Sequence, residues 1–319
     1  MNGTITDVPG VKVGHSIDEK GITGCTAIIT EQGAVCSVDV RGSAPGTRET
    51  DALDPINSVG AIHALSLAGG SAFGLDAAMG IMRYLQQQDV GVFVEVAKIP
   101  IVPGAVIFDL LIGDSKAYAT AQMGYEAAAN ATNAKVESGN VGAGYGALVG
   151  KVSGNDYCMK GGLGSSSVKG ADDLVVGAIV VVNAVGDVKD PQTRQTIAGG
   201  RNRETGEWRD SCAFLKENQI PKVKQNTNTT IGAVALNAKL TKAEAKKIAQ
   251  LTQNALARTI YPVHTMYDGD SIFVLGTGEK QYPLDYLGQL AIEAMEQAII
   301  NAVKFAQPIA GIPSYQSIQ

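Results

Sequence analysis

The polar and apolar positions of this chain fall into two periods. Residues 175–182 form a near-continuous apolar run rich in β-branched side chains, and 231–236 and 271–275 look the same. Such runs predict strands covered on both faces. Residues 27–29 and 33–40 read as the strands of a hairpin. Elsewhere the spacing is helical. Residues 55–67 predict a helix carrying Ile56, Val59, Ile62, His63 and Leu65, with His63 a packed or half-exposed member. A second helix is predicted from Ser71 to about Gln86, with Ser71 as its N-cap, and 117–131 read as an alanine-rich third. Thr241-Lys242-Ala243-Glu244 is a capping box that opens a helix to about Arg258. The last helix covers about 284–305, with Leu287, Leu290, Met295 and Ile299 inward and Glu293, Glu296 and Lys304 left for solvent. Buried strands alternating with helix pairs predict one layered α/β domain over 1–319. Residues 187–225, poor in periodicity, read as a long loop.

Composition narrows the function classes. Hydrophobic residues are 45% and charged residues 18%, enough for a large core and no case for disorder. Aromatics are only 5% against 38 glycines, so the core is aliphatic with backbone packed closely. A net charge of -5 recommends no nucleic-acid partner. No apolar run is long enough to span a bilayer, and Met1-Asn2-Gly3-Thr4 does not begin like a signal peptide. Cys25, Cys36, Cys158 and Cys212 are scattered, which suits reduced thiols in a cytoplasm.

The candidate chemistry centres on Asn228-Thr229-Thr230, between the polar segment 222–227 and the apolar run 231–236. A hydroxyl residue opening a buried strand just after a loop amide is the layout of a self-cleaving nucleophile. Cleavage before Thr229 frees an α-amine that can act as base for its own hydroxyl. The plain alternative is a capped turn. Downstream, His264-Thr265-Met266-Tyr267-Asp268-Gly269-Asp270 puts two carboxylates around one glycine. That is a turn by local chemistry, or a pair of acids that orients an amine and a hydroxyl. Val141-Gly142-Ala143-Gly144-Tyr145-Gly146-Ala147 matches a dinucleotide fingerprint, but a polar stretch precedes it and a strand-like one, 148–152, follows. Its other reading is a glycine loop, Gly142 and Gly144, lining a substrate pocket by close backbone approach. The three histidines, His15, His63 and His264, form no metal motif and are too few to recommend a Ser-His-Asp machine.

Several long motifs together resemble peptidase family S58, a family of N-terminal-nucleophile hydrolases. They are Thr6-Asp7-Val8-Pro9-Gly10-Val11-Lys12-Val13-Gly14-His15, Gly24-Cys25-Thr26, Asp39-Val40-Arg41-Gly42-Ser43-Ala44-Pro45-Gly46-Thr47-Arg48-Glu49-Thr50, Gly69-Gly70-Ser71-Ala72-Phe73-Gly74-Leu75, Gly139-Asn140-Val141-Gly142-Ala143-Gly144, Lys160-Gly161-Gly162-Leu163-Gly164-Ser165 and the Asn228-Thr229 junction. The resemblance implies a four-layer α-β-β-α sandwich and autoproteolysis into pieces 1–228 and 229–319. It implies Thr229 as nucleophile, Asp268 and Asp270 as its orienting acids, and Asn183 as side-chain donor to the oxyanion. It sets Lys160 in the active site and Tyr157 near it. Thr229 with Asp268 and Asp270 is similar to the nylon-oligomer hydrolase branch, where other members carry serine, serine and glutamate. The implied substrates are small peptides or amides with a free amino end, with no cofactor and a homotetramer or larger assembly. Two readings of other classes stay open: an uncleaved, non-catalytic small-molecule-binding homologue, and a nicotinamide-dependent oxidoreductase resting on the glycine loop alone.

Overall fold

The computed structural model describes residues 1–217, 220–221 and 227–319. Its main strands are β1 (Lys12–Asp18), β2 (Thr23–Val40), β3 (Ile62–Ala68), β4 (Gly104–Val106), β5 (Gly162–Lys169), β6 (Val175–Asn183), β7 (Thr229–Leu236) and β8 (Ser271–Gly276). Its main helices are α1 (Ala77–Gln87), α2 (Ala121–Ala129), α3 (Lys242–Thr259) and α4 (Leu284–Lys304). The strands run side by side in the order β5, β6, β7, β8, β2, β3, β4, with β1 on β2.

One long strand turns this row into two stacked sheets. Residues Cys25 to Ile29 of β2 pair with β3, whereas Val35 to Val40 pair with β8, and the register shifts between Ile29 and Ala34. Gly33, at φ 82°, takes the left-handed backbone in that irregularity, which a side chain would resist. The two ends of β2 therefore serve different sheets. The side-chain period of two then sorts the apolar residues into layers. Ile179, Val181, Ile231, Ala233, Ala235, Phe273 and Leu275 face Ile28, Leu65 and Leu67 between the sheets. Their neighbours Val180, Val182, Val234, Leu236, Ile272 and Val274 face the other way, onto Ile248, Leu256, Leu287, Met295 and Ile299 of α3 and α4. On the far side, Cys25, Ala27, Ile29, Ala64 and Ala68 pack on Ala77, Ile81, Leu85, Ala127 and Ala128 of α1 and α2. The result is the expected α-β-β-α sandwich, and it explains why these strands read as unbroken apolar runs.

Local chemistry sets the helix starts. Thr241 accepts from the Glu244 N–H at 3.2 Å and Glu244 returns to the Thr241 N–H at 2.7 Å, the reciprocal cap foreseen for α3. The helix expected over 55–67 does not form. Its apolar half is β3, buried along its whole length between β2 and β4. A short apolar run fits either period, and pairing with two strands decided it. The 71–86 segment starts as a 3-10 turn, Ser71–Asp76, and becomes α-helical only at Ala77. Ser71 does not cap it; it sits at φ 56° with its N–H on Ile107 O. The third helix is shorter than expected, and only Leu148–Val149 of 148–152 is strand. The long loop holds a three-stranded patch, Asp187–Lys189 and Thr196–Ala198 with Ile260–Tyr261, and the helix Ser211–Lys216. Most of the polar segment 222–227 lies outside the described residues.

Candidate active site

Strand direction explains why distant motifs meet. β7 and β8 are parallel, so both begin at one edge of their sheet, with Ile231 opposite Ser271 and Asn228 bridged to Asp268. β6 is antiparallel to β7 and ends at the same edge, with Asn183 opposite Thr229. β2 is antiparallel to β8 and also ends there, Val40 opposite Ser271. The chain after β2 then closes on the acidic loop: Arg41 and Gly42 N–H reach Asp270 O at 2.9 and 3.1 Å, and Ala44 N–H reaches Asp268 O at 2.9 Å.

At the centre of this edge, the Thr229 hydroxyl donates to the carbonyl oxygen of Asn228. The Gly269 N–H donates to the same oxygen at 3.0 Å. Asn228 is fully buried, its amide nitrogen directed at Thr227 Oγ1 (3.2 Å) and Tyr267 O (3.4 Å). Thr229 opens into a cleft of about 360 Å³ whose other walls are Ser43 to Gly46, Ser71, Ala72 and Val106 to Phe108. Two of the motifs singled out in the sequence thus form its walls.

The carboxylates sit just behind the threonine, each 1% exposed. Asp268 accepts from Val185 N–H at 3.3 Å and from the N–H and hydroxyl of Thr265 at 3.1 and 2.6 Å. Burial, reinforced by the neighbouring charge of Asp270, pushes its carboxyl up to about 7. Asp270 accepts from Thr230 N–H at 2.7 Å on one oxygen, and from the N–H and ring Nδ1 of His264 at 3.1 and 2.8 Å on the other. Asp270 is therefore tied to the peptide after Thr229, and Asp268 to the chain after Asn183, not merely to their own turn.

Asn183 is fully buried; its side-chain oxygen accepts from Leu148 N–H at 3.0 Å and its amide nitrogen donates to Phe108 O, a wall of the cleft, at 3.0 Å. The lysine beside it is Lys151, which the sequence reading passed over. Its Nζ donates to Asn183 O at 2.8 Å, Asn183 Oδ1 at 2.9 Å and Thr227 O at 3.1 Å. Complete burial, opposed by the charge of Asp268, brings its amine down to about 7. Lys160 bonds a different pair of carbonyls, one of them next to the Leu148 N–H that Asn183 holds. It is buried with Nζ on Tyr145 O (2.9 Å) and Ala147 O (2.7 Å), and burial lowers it to about 7 against the pull of Asp109. A lysine among Leu148, Val149 and Val152 was the available signal: a charge in an apolar stretch has to find partners. His264 was also missed, although it stands in the loop that carries both acids.

The remaining candidates are not brought to the cleft. Gly142 packs against His15 and Thr26, and Gly144 against the Leu163 backbone, so their closeness serves packing between segments. Tyr157 lies under the Arg209 guanidinium, 4.4 Å from its ring centre. A 3-10 turn occupies Gly142–Gly144 where a dinucleotide site needs a strand-to-helix turn. Among the described residues no cluster of three or more His, Cys, Asp or Glu could hold a metal ion, and no helix is long and apolar enough to cross a membrane.

The mixed four-layer sandwich carries a buried threonine and two buried acids at the edge of its central strands. Residues 3–316 match peptidase family S58, and the chain belongs to that family. It is 40% identical over 343 aligned positions to an uncharacterized aminopeptidase of Mycobacterium tuberculosis, covering 99% of this chain and 97% of that protein. It is 30% identical over 314 positions to the 6-aminohexanoate-oligomer endohydrolase of Kocuria sp., covering 93% of this chain and 85% of that protein. Among solved structures, the L-aminopeptidase D-Ala-esterase/amidase of Ochrobactrum anthropi superposes with a TM-score of 0.73 at 18% identity, over 98% of this chain and 88% of that one. A Burkholderia sp. beta-aminopeptidase superposes with a TM-score of 0.70 at 20% identity, over 100% of this chain and 92% of that one. At those identities the likeness speaks for the fold.

Proposed function

We propose that this enzyme matures by cutting its own chain between Asn228 and Thr229, and then uses Thr229 to hydrolyse small peptides or amides with a free amino end. The observation that carries the reading is the shared carbonyl. Thr229 Oγ1 and the Gly269 N–H both bond to Asn228 O, so the attacking hydroxyl and an oxyanion donor already flank the bond to be broken. The hydroxyl oxygen adds to the Asn228 carbonyl carbon and its proton passes to the Thr229 nitrogen. The C–N bond breaks, leaving an ester. Water then hydrolyses the ester, giving Asn228 a carboxylate and Thr229 a free amine.

One hydrolase domain over 1–319 thereby becomes two pieces, 1–228 and 229–319. In turnover the new amine, with an ordinary pKa of about 8, takes the hydroxyl proton and returns it to the leaving amine. Asp268 and Asp270 orient these groups. Asn183, whose amide nitrogen already points at the cleft wall, is the side-chain oxyanion donor. Lys151 holds Asn183 and the chain before the cut. The cleft is small and lined by both polar and apolar groups, which supports slender amides, and the Kocuria relative's name adds amide oligomers to the panel.

The reading extends to a homotetramer or larger assembly in the cytoplasm. Phe93 and Val96, 68% and 91% exposed on the hairpin of Val92–Val94 and Ala97–Ile99, support subunit contacts. Light scattering that reports a monomer at micromolar concentration counts against it. The test of the main reading is intact mass. Purified protein should give pieces ending at Asn228 and starting at Thr229, Thr229→Ala should stay whole and inactive, and Thr229→Ser should still cleave. A Thr229→Ala protein that cleaves like the parent overturns it.

A further inference from the structure

We infer that His264 is a positioning residue that acts on Thr229 through Asp270, an inference resting on the nucleophile assignment above. Three features converge on it. Its backbone is left-handed, φ 54°, a conformation that non-glycine residues rarely hold and that recurs at functional sites. That turn brings two donors of one residue, the backbone N–H at 3.1 Å and ring Nδ1 at 2.8 Å, onto a single oxygen of Asp270. The other oxygen is thereby left facing the Thr230 N–H at 2.7 Å.

The consequence for the reaction is geometric. The Thr229–Thr230 peptide is the only covalent tether of Thr229 once the chain before it is cut. Its N–H is held by Asp270, and Asp270 is kept from rotating by the two-point grip of His264. In the Nδ1–H tautomer the ring and the backbone N–H both donate to one oxygen of Asp270. Nε2 is buried with no partner among the described residues. The His264 ring serves as an oriented donor to Asp270.

The test uses two substitutions that both tolerate a positive φ and differ in the donor they offer. His264→Asn tolerates the left-handed backbone and places a side-chain N–H near the position of Nδ1. His264→Gly takes that backbone freely and removes the ring. Both are read by the first-order rate of self-cleavage in freshly made full-length chain, which contains no substrate-binding step, with thermal unfolding as the control for folding. Glycine should slow cleavage by about 10-fold or more, and asparagine should restore it to within about 3-fold of the parent. Parental rates in the glycine variant overturn the inference. So does an asparagine variant as slow as the glycine one while equally folded, since the Nδ1 donor is then not what matters. Thr229→Ala runs alongside: if it too cleaves, the nucleophile assignment has failed rather than the role of His264.

Discussion

Replacing Asp268 by asparagine sets two computable effects against each other. The carboxyl is buried beside Asp270 and pushed from an ordinary 3.8 up to about 7. Ionising it in the folded chain by pH 8 therefore costs about 4 kcal/mol relative to the unfolded chain. Asparagine removes that cost. It also carries one accepting oxygen where the carboxylate has two, and the three donors of Val185 and Thr265 are split between both. Whichever way the amide turns, its NH₂ faces a backbone N–H, at about 1–3 kcal/mol. The sign follows from linkage. A raised carboxyl stabilises the folded chain fully below pH 3.8, and that contribution fades as the pH climbs to about 7. The variant should thus be less stable than its parent near pH 4–5 and more stable near pH 8. The melting temperatures should cross by a few degrees.

Both proteins must be uncut for this comparison, so unfolding is measured in the Thr229→Ala background. In the active background the same substitution should slow self-cleavage by about 10²-fold or more, the scale of a group that orients a proton transfer, even at pH 8 where the fold is firmer. A variant with the parent's pH slope and the parent's cleavage rate would refute both the burial argument and the catalytic role. Faster cleavage in a more stable protein would refute the second alone.

Lys151→Met strips donors from Asn183 O, Asn183 Oδ1 and Thr227 O but also relieves an amine driven down to about 7 by burial. Its stability deficit should shrink as pH falls from about 10 towards 7, because the depressed lysine loses its contribution to the parent over that window. Cleavage should drop at least 10-fold throughout, as followed by intact mass. Gly42→Ala puts a Cβ 2.2 Å from Asp270 N and 2.4 Å from Asp268 O, backbone atoms that cannot yield cheaply. A denaturing gel should show uncut chain accumulating, and clean processing there would count against the packed acidic loop. Thr241→Ala removes the hydroxyl that caps α3 and should cost about 1 kcal/mol in unfolding without altering cleavage.

Much of this enzyme is readable in one dimension because the information is local. The unbroken apolar runs at 175–182, 231–236 and 271–275 mark strands covered on both faces. The Thr241–Glu244 cap marks the start of its helix, since both ends of a capping box lie within one turn. Asn228-Thr229 and Asp268-Gly269-Asp270 stood out because chemistry-bearing residues opened buried strands. What the sequence left undecided depended on partners far along the chain. Ile62–Ala68 is a strand because β2 and β4 supply its hydrogen bonds, and its own spacing suits a helix equally well. The two ends of β2 belong to different sheets because one register shift separates their partners. The choice of Lys151 over Lys160 beside Thr227 and Asn183, and the grip of His264 on Asp270, follow from four strand ends meeting at one edge. Only the parallel pairing of β7 with β8, and the antiparallel pairing of each with a further neighbour, brings those ends together. Side-chain type is set by the sequence one residue at a time, but which buried charge faces which carbonyl is a property of the assembled sheets.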